Sequence, residues 1–346
     1  MSHYASLQAL GWRPFFQQQL DLNELETLSP CRIMAQHKSR LLGQTESDIV
    51  DIPILPSLPD CVVGDWVLLN AEQGFVRLLE RASCFKRKAA GDKAGIQLIA
   101  ANVDTAFIVT SLNDDFNLNR LERYLALAHE AGVEPVVVLS KSDLVESSDE
   151  CVHQIHQLDS RLSVEAINSL DNDSIMPLKH WFQTGQTIIL LGSSGVGKST
   201  LTNTLLGENK QATQGIREDD AKGRHTTTSR SLMITQTGGL ILDTPGMREL
   251  QLADAAEGLA QTFSDIEELA KHCQFTDCQH GLEPGCAVQE ALSKGELDSR
   301  RFENYQKLCR EEQINTRTLA EKRAKDKAFG KTVKRALKDS HKLKGR

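Results

Sequence analysis

The chain has 346 residues, enough for two or three domains at roughly 150 residues each. Its 47 Asp and Glu against 40 Lys and Arg give a formal net charge of −7, which argues against a simple basic nucleic-acid binder. The average conceals an asymmetry, because 322–346 hold 11 basic and 2 acidic residues, so an acidic body carries a basic tail. Hydrophobic residues make up 40% of the chain, which excludes wholesale disorder. No apolar run approaches the ~20 residues needed to cross a bilayer. The start, Met1-Ser2-His3-Tyr4-Ala5, lacks the features of an export signal. With no such signal, the eight cysteines point to free thiols and a metal site rather than disulfides. A cytoplasmic protein with no membrane partner is expected.

Residues 1–31 are polar with a short aromatic cluster (Trp12, Phe15, Phe16) and are expected to form a loosely packed extension. From 32 to 87, short β-type runs lie between turn residues: Asp48 to Ile52, Cys61 to Val63 and Trp66 to Leu69. These predict a small β-barrel or sandwich. The texture changes near Asn102. Thr105 to Thr110, Val136 to Leu139, Thr187 to Leu191 and Leu240 to Leu242 are continuous apolar runs of the type buried on both faces of a parallel sheet. Between the first two, Asn113 to Asp115 offer helix caps, Leu121, Tyr124, Leu125 and Ala128 repeat at helical spacing, and Gly132 stops the helix. Strands alternating with helices predict an α/β domain over 88–250. A Cys/His segment follows within 251–320, then the basic tail, 321–346.

Gly192-Ser193-Ser194-Gly195-Val196-Gly197-Lys198-Ser199 fits the phosphate-loop pattern G-x4-G-K-[ST] and lies between a predicted strand and a helix beginning at Thr200. Its glycines let backbone N–H groups converge on phosphate oxygens, and the helix start adds its positive dipole end. Lys198 is expected to reach the β and γ phosphates, and Ser199 to ligate Mg²⁺. Asp243-Thr244-Pro245-Gly246 ends a predicted strand some 45 residues later, where Asp243 can hold a Mg²⁺-bound water and the Gly246 N–H can meet the γ-phosphate. Between them runs a polar stretch ending Gly223-Arg224-His225-Thr226-Thr227-Thr228. Thr226 or Thr227 is expected to complete the Mg²⁺ shell.

Ser140-Lys141-Ser142-Asp143 follows the strand ending at Leu139 and is similar to the [NT]-K-x-D guanine signature. Asp143 would accept from the ring N–H and exocyclic amine of guanine, a donor pair that adenine lacks, so GTP is the expected nucleotide. Asn168-Ser169 sit where a backbone amide can touch the guanine oxygen. The order is base motif, phosphate loop, switch loop and DxxG, whereas ordinary GTPases place the base motif last. The sequence therefore predicts a circularly permuted GTPase. Met247 occupies the position at which many GTPases keep a water-orienting Gln, so slow intrinsic turnover is expected, with His225 the internal candidate for a catalytic group. Cys273, Cys278, His280 and Cys286 give C-x4-C-x-H-x5-C, a donor set for one closed, structural Zn²⁺, with His272 a less suitable substitute.

On these residues the chain resembles the small-ribosomal-subunit-dependent GTPase family (RsgA, also called YjeQ). The matches are the permuted order, 192–200, 223–228, 243–247, the Cys/His knuckle, Arg87 to Gly91 and Ala100 to Asp104. The resemblance implies an OB-fold at 32–87, a permuted GTPase domain and a helical zinc domain. It also implies late maturation of the 30S subunit, contact with 16S rRNA, a GTP/GDP cycle and hydrolysis stimulated by the subunit; a monomer is expected. Ser140 and the Asn168-Ser169 pair depart from the family pattern. Two rivals are an RNA-binding assembly factor in which hydrolysis is incidental and an ATP-dependent phosphate-loop enzyme, the latter opposed by Asp143.

Overall fold

The computed structural model describes residues 5–88, 96–113, 115–207, 230–243, 252, 254–281 and 283–316. His225, Thr226, Thr227, Gly246, Met247 and the basic tail lie outside the described residues.

Two short helices, α1 (Pro14–Gln17) and α2 (Leu22–Thr27), precede the first strand. The α2 start is a capping box in which Asp21 accepts from the Glu24 N–H and Glu24 accepts from the Asp21 N–H. Contrary to the expected loose extension, Leu10 and Phe16 are fully buried. Trp12 meets Trp66 edge-on and Phe16 lies tilted against it, at ring-centre distances of 4.8 and 5.8 Å, so the aromatic cluster belongs to the core.

Five strands follow: β1 (Ser29–Gln36), β2 (Arg40–Gln44), β3 (Ile49–Pro53), β4 (Trp66–Leu69) and β5 (Phe75–Leu78). They pair antiparallel in the order β5-β4-β1-β2-β3, the arrangement of a partly open OB-type barrel. Cys61-Val62-Val63, expected as a strand, is a buried turn in which the Val62 N–H donates to Asp65 Oδ2 at 2.8 Å. Its apolar run reflects burial rather than pairing. A hairpin of β6 (Cys84–Lys88) and β7 (Ile96–Ala101) leads into the second region.

There, β8 (Thr105–Ser111), α3 (Leu118–Glu130), β9 (Glu134–Ser140), α4 (Asp149–Leu158), β10 (Ser163–Ala166), β11 (Thr187–Leu191), α5 (Lys198–Leu206), β12 (Arg230–Ile234) and β13 (Leu240–Asp243) alternate along the chain. The strand order is β10-β9-β8-β11-β13-β12, parallel except for β12. Ala106 and Ile108 face one core, Phe107 and Val109 the other, which is why these runs are apolar without alternation. Asn117, rather than the expected Asn113 to Asp115, caps α3 by accepting from the Arg120 N–H. Four more helices follow among the described residues: α6 (Ala256–Thr262), α7 (Ser264–Ala270), α8 (Ala287–Lys294) and α9 (Ser299–Thr316). α6 lies so close to α3 that a Cβ on Gly258 would sit 2.1 Å from the Ala126 carbonyl oxygen.

Barrel and GTPase sheet are continuous, because β1 also pairs with β12 through Ala35 with Ser231 and Gln36 with Arg230, making one eleven-stranded sheet. Arg32 reinforces this seam. Its guanidinium donates to the Leu10 carbonyl, to the Asn102 carbonyl at 3.0 Å and to Thr187 Oγ1 at 2.9 Å, and lies 5.6 Å from the Trp66 ring. Burial pushes its pKa down to about 10, so it stays charged near neutral pH.

Candidate nucleotide and metal sites

The phosphate loop leaves β11, whose five residues are all buried, and enters α5. Gly192 takes φ 142°, and a Cβ there would lie 2.2 Å from the Val109 carbonyl oxygen, so only glycine fits. Val196 is buried and anchors the loop, while Ser194, Gly195 and Ser199 face solvent. α5 starts at Gly197 with no side-chain cap, leaving its first N–H groups available to an anion. Lys198 Nζ donates to the Gly192 carbonyl at 2.7 Å and to the Ser193 carbonyl, so its ammonium lies against the loop. Arg120, which the sequence did not single out, reaches across from α3 to Ser193 Oγ at 3.0 Å.

The base motif is fastened to this loop. Ser140 is fully buried, and its hydroxyl donates to the Val196 carbonyl at 2.6 Å. The departure from Asn or Thr thus keeps a hydrogen bond between the two motifs. Lys141 takes a left-handed φ of 59°, uncommon for a side chain with a Cβ, and Asp143 stands exposed on the single 3-10 turn Ser142–Leu144. The Ser142 N–H donates to the Ile167 carbonyl at 3.1 Å, tying the loop after β9 to the loop after β10. In that second loop Asn168 Oδ1 accepts from the Leu170 N–H, and the Ser169 carbonyl accepts from Thr204 Oγ1 of α5 at 2.7 Å. The Ser169 hydroxyl is buried, with no partner among the described residues. Asp243 closes β13 next to β11. Residues 140–143, 168–169, 192–200 and Asp243 therefore meet at the carboxyl ends of the parallel strands, where open α/β sheets bind ligands.

Cys273, Cys278, His280 and Cys286 place their ligand atoms within 4.8 Å of one another. The Cys273 Sγ to Cys286 Sγ distance is 3.9 Å, and His280 Nδ1 lies 3.6 and 3.5 Å from these two sulfurs. A tetrahedron with metal–sulfur bonds of about 2.3 Å has edges of about 3.8 Å, so the four residues fit one metal ion. Cys286 caps α8 and accepts from the Gln289 N–H. The His280 carbonyl accepts from Gln289 Nε2 at 2.6 Å, which fixes the turn carrying the imidazole. His272, the substitute considered from sequence, is not in the cluster.

Sequence also left unmarked how the C-terminal helices are held. Glu122 of α3 is fully buried, with its carboxylate 3.1 Å from Arg300 and 2.9 Å from Arg301, both of α9. It also accepts from Asn304 Nδ2. Arg301 continues to Asp265 at 2.7 Å and to the Thr262 carbonyl at 2.9 Å, and Arg123 pairs with Glu311 at 2.6 Å. No spacing rule marks a glutamate on a helix as the centre of such a network.

A phosphate loop on the central strand, a base motif that precedes it in the chain yet lies beside it in space, and an appended barrel and Cys/His module define a circularly permuted GTPase. The comparisons agree with that class and narrow it. The chain belongs to the RsgA GTPase family, whose model matches residues 78–253. It is 56% identical over 336 residues to the small ribosomal subunit biogenesis GTPase RsgA 2 of Vibrio parahaemolyticus, covering 97% of this chain and 94% of the relative. It is 48% identical to the RsgA of Mesorhizobium japonicum, covering 90% and 91%. Among solved structures, YloQ, described as a circularly permuted GTPase, matches with TM-score 0.59 at 26% identity, covering 84% of this chain and 96% of that one. YjeQ from Thermotoga maritima shares the fold with TM-score 0.60 at 23% identity, covering 81% and 97%. A second model, described as ABC transporter, matches 176–332, a span that includes the phosphate loop. Among the described residues no helix is long and apolar enough to cross a membrane.

Proposed function

We propose that this chain is a GTP hydrolase that binds the 30S ribosomal subunit, contacts its 16S rRNA and assists its late maturation, with hydrolysis stimulated by the subunit. The observation that carries the nucleotide assignment is the hydrogen bond from Ser140 to the Val196 carbonyl, which holds the base-reading loop and the phosphate loop as one surface. The names of the relatives carry the ribosomal assignment.

In this reading Gly192, Ser193, Ser194, Gly195, Val196, Gly197, Lys198 and Thr200 cradle the phosphates through backbone N–H groups and the Lys198 ammonium. Ser199 and either Thr226 or Thr227 hold Mg²⁺, with Asp243 behind it, and Gly246 meets the γ-phosphate. When bound, Mg²⁺ neutralises charge on the β and γ phosphates. Ser140, Lys141, Ser142, Asp143, Asn168 and Ser169 form the guanine site. His225 is the catalytic candidate in place of the absent Gln, and His225→Ala would hydrolyse GTP normally with 30S subunits present if that role were wrong. Cys273, Cys278, His280 and Cys286 hold one structural Zn²⁺, and three thiolates with one imidazole leave no open position for catalysis. The basic tail, 322–346, supplies cations for RNA phosphates, so its deletion should weaken subunit binding most at low salt. The protein acts as a cytoplasmic monomer.

A competition assay tests the nucleotide reading directly. Bound GTP should resist a large excess of ATP, and Asp143→Asn should lose that discrimination. Displacement of GTP by equimolar ATP from the unaltered protein would instead support the ATP-dependent class.

A further inference from the structure

We propose that Arg120 is a positioning residue that fixes the phosphate loop from α3 and makes nucleotide affinity depend on the seating of α9; the proposal rests on the phosphate-site reading above. Two points of the loop are pinned by its surroundings: Gly192 packs on the Val109 carbonyl, and Ser140 holds the Val196 carbonyl. Between them Ser194 and Gly195 are exposed, and a third hold falls on Ser193. There Arg120 Nη1 donates to the Ser193 hydroxyl at 3.0 Å, and Tyr124, one turn further along α3, interacts with the same hydroxyl. The guanidinium is itself fixed. Its Nη2 donates to the Asp115 carbonyl at 2.7 Å and meets the Asp115 carboxylate at 2.8 Å, while the Arg120 N–H donates to Asn117 Oδ1, the α3 cap, at 3.1 Å.

The Asp115 carboxylate offsets the charge of Arg120, so the pair exerts little net pull on a phosphate. What Arg120 supplies is geometry. The Ser193 carbonyl accepts from Lys198 Nζ. In the phosphate-site reading Lys198 exchanges that carbonyl for the β and γ phosphates, and Arg120 keeps Ser193 in place while it does. Neighbouring residues of α3 bind α9. Asn119 accepts from Arg300 Nη1 through Oδ1 and from Asn304 Nδ2 through its carbonyl, the latter at 3.2 Å, and Arg123 pairs with Glu311 at 2.6 Å. Glu122 gathers Arg300, Arg301 and Asn304. Residues 119–123 of α3 thus join the phosphate loop to α9, and the basic tail follows α9 in the chain. Discrete hydrogen bonds along a rigid helix can carry energetic coupling between two such sites.

The test is calorimetric titration of GDP and GTP into the full, zinc-loaded chain carrying Arg120→Ala, Arg120→Lys, Ser193→Ala or Asn304→Ala, with thermal melting of each variant alongside. Arg120→Ala should weaken both nucleotides about tenfold. Combined with Ser193→Ala it should lose little more than either variant alone, because both remove one contact. Arg120→Lys keeps the charge, but an ammonium cannot span Asp115 and Ser193 as the planar fork does, so it should lose nearly as much as the alanine variant. Asn304→Ala should weaken binding about threefold in the parent and have no further effect beside Arg120→Ala. Parental affinity in Arg120→Ala, even with a lowered melting temperature, would overturn the proposal. Parental affinity in Arg120→Lys would assign the effect to charge, and parental affinity in Asn304→Ala or full additivity in either pair would break the coupling; each of these also overturns it. Lys198→Ala in the same series separates the two levels. If it binds GTP like the parent, the phosphate-site reading fails; if it loses GTP while the Arg120 variants bind normally, only the positioning role fails.

Discussion

The barrel and the C-terminal helices flank one GTPase core, and they are joined to it by different physics. On the barrel side the backbone itself crosses the seam, β1 pairing with β12, and one buried arginine fastens the N-terminal segment, the hairpin end and the phosphate-loop strand. On the other side no strand crosses among the described residues. α3 presents a buried glutamate to two arginines and an asparagine of α9, and the Cys/His cluster organises the chain between α7 and α8. A shared sheet fixes relative position through many weak bonds. A charge-closed seam depends on a few strong, expensive ones, and losing one partner strands the others in a low dielectric.

The largest expected effect is on the side of the Cys/His cluster. Structural zinc contributes on the order of 10 kcal/mol or more to small domains. Chelation, or Cys286→Ser, should abolish hydrogen-exchange protection around 273–294 while leaving β8, β9 and β11 protected. Uniform loss across both regions would show that the two sides are not independent.

Next is the charge-closed seam. Glu122→Ala should cost about 3–5 kcal/mol in denaturant unfolding, because Arg300 and Arg301 lose their buried counter-charge. A cost below about 1 kcal/mol would mean that water compensates the arginines.

Arg32→Met probes the opposite seam, and a loss of about 2–3 kcal/mol is expected from the acceptors it strands. Combined with Glu122→Ala, the two losses should add within about 0.5 kcal/mol if the seams are energetically separate. Strong non-additivity would instead show that the core transmits strain between them.

The smallest effect concerns pH. Burial lowers the His129 pKa, its ring lying 3.0 Å from Thr262 Oγ1 on the α3–α6 face. The folded protein thus binds this proton less readily than the unfolded chain. Stability from the neutral ring is complete above the unfolded value near 6.5 and declines as pH falls below it toward the lowered folded value. His129→Gln should flatten that acid-side slope, measured as the melting temperature between pH 5 and pH 7; an unchanged slope would assign it to other groups.

The two sides also differ in how much of them the sequence revealed. The four apolar strands of the GTPase core were legible because burial on both faces removes alternation, and the observed β8, β9, β11 and β13 contain the expected runs. The Cys/His cluster was equally legible, since four ligating side chains in 14 residues have few other uses. The seams were not. Pairing of Ala35 and Gln36 with Ser231 and Arg230 spans some 195 positions and leaves no local signature. A buried Arg32 or Glu122 looks like any surface charge until its partners are placed. For the same reason the polar N-terminal segment concealed a docked Leu10 and Phe16. Within the candidate site, sequence located the motifs but not the Ser140 bond that unites them, nor Arg120 on Ser193.

In the proposed function both flanking modules serve a GTPase whose partner is the small ribosomal subunit. Its most direct test is the steady-state rate of GTP hydrolysis by the full, zinc-loaded chain, with and without purified 30S subunits. Slow hydrolysis alone is expected, with stimulation by 30S subunits that is absent with 50S subunits. An equal rate with and without 30S subunits would contradict it.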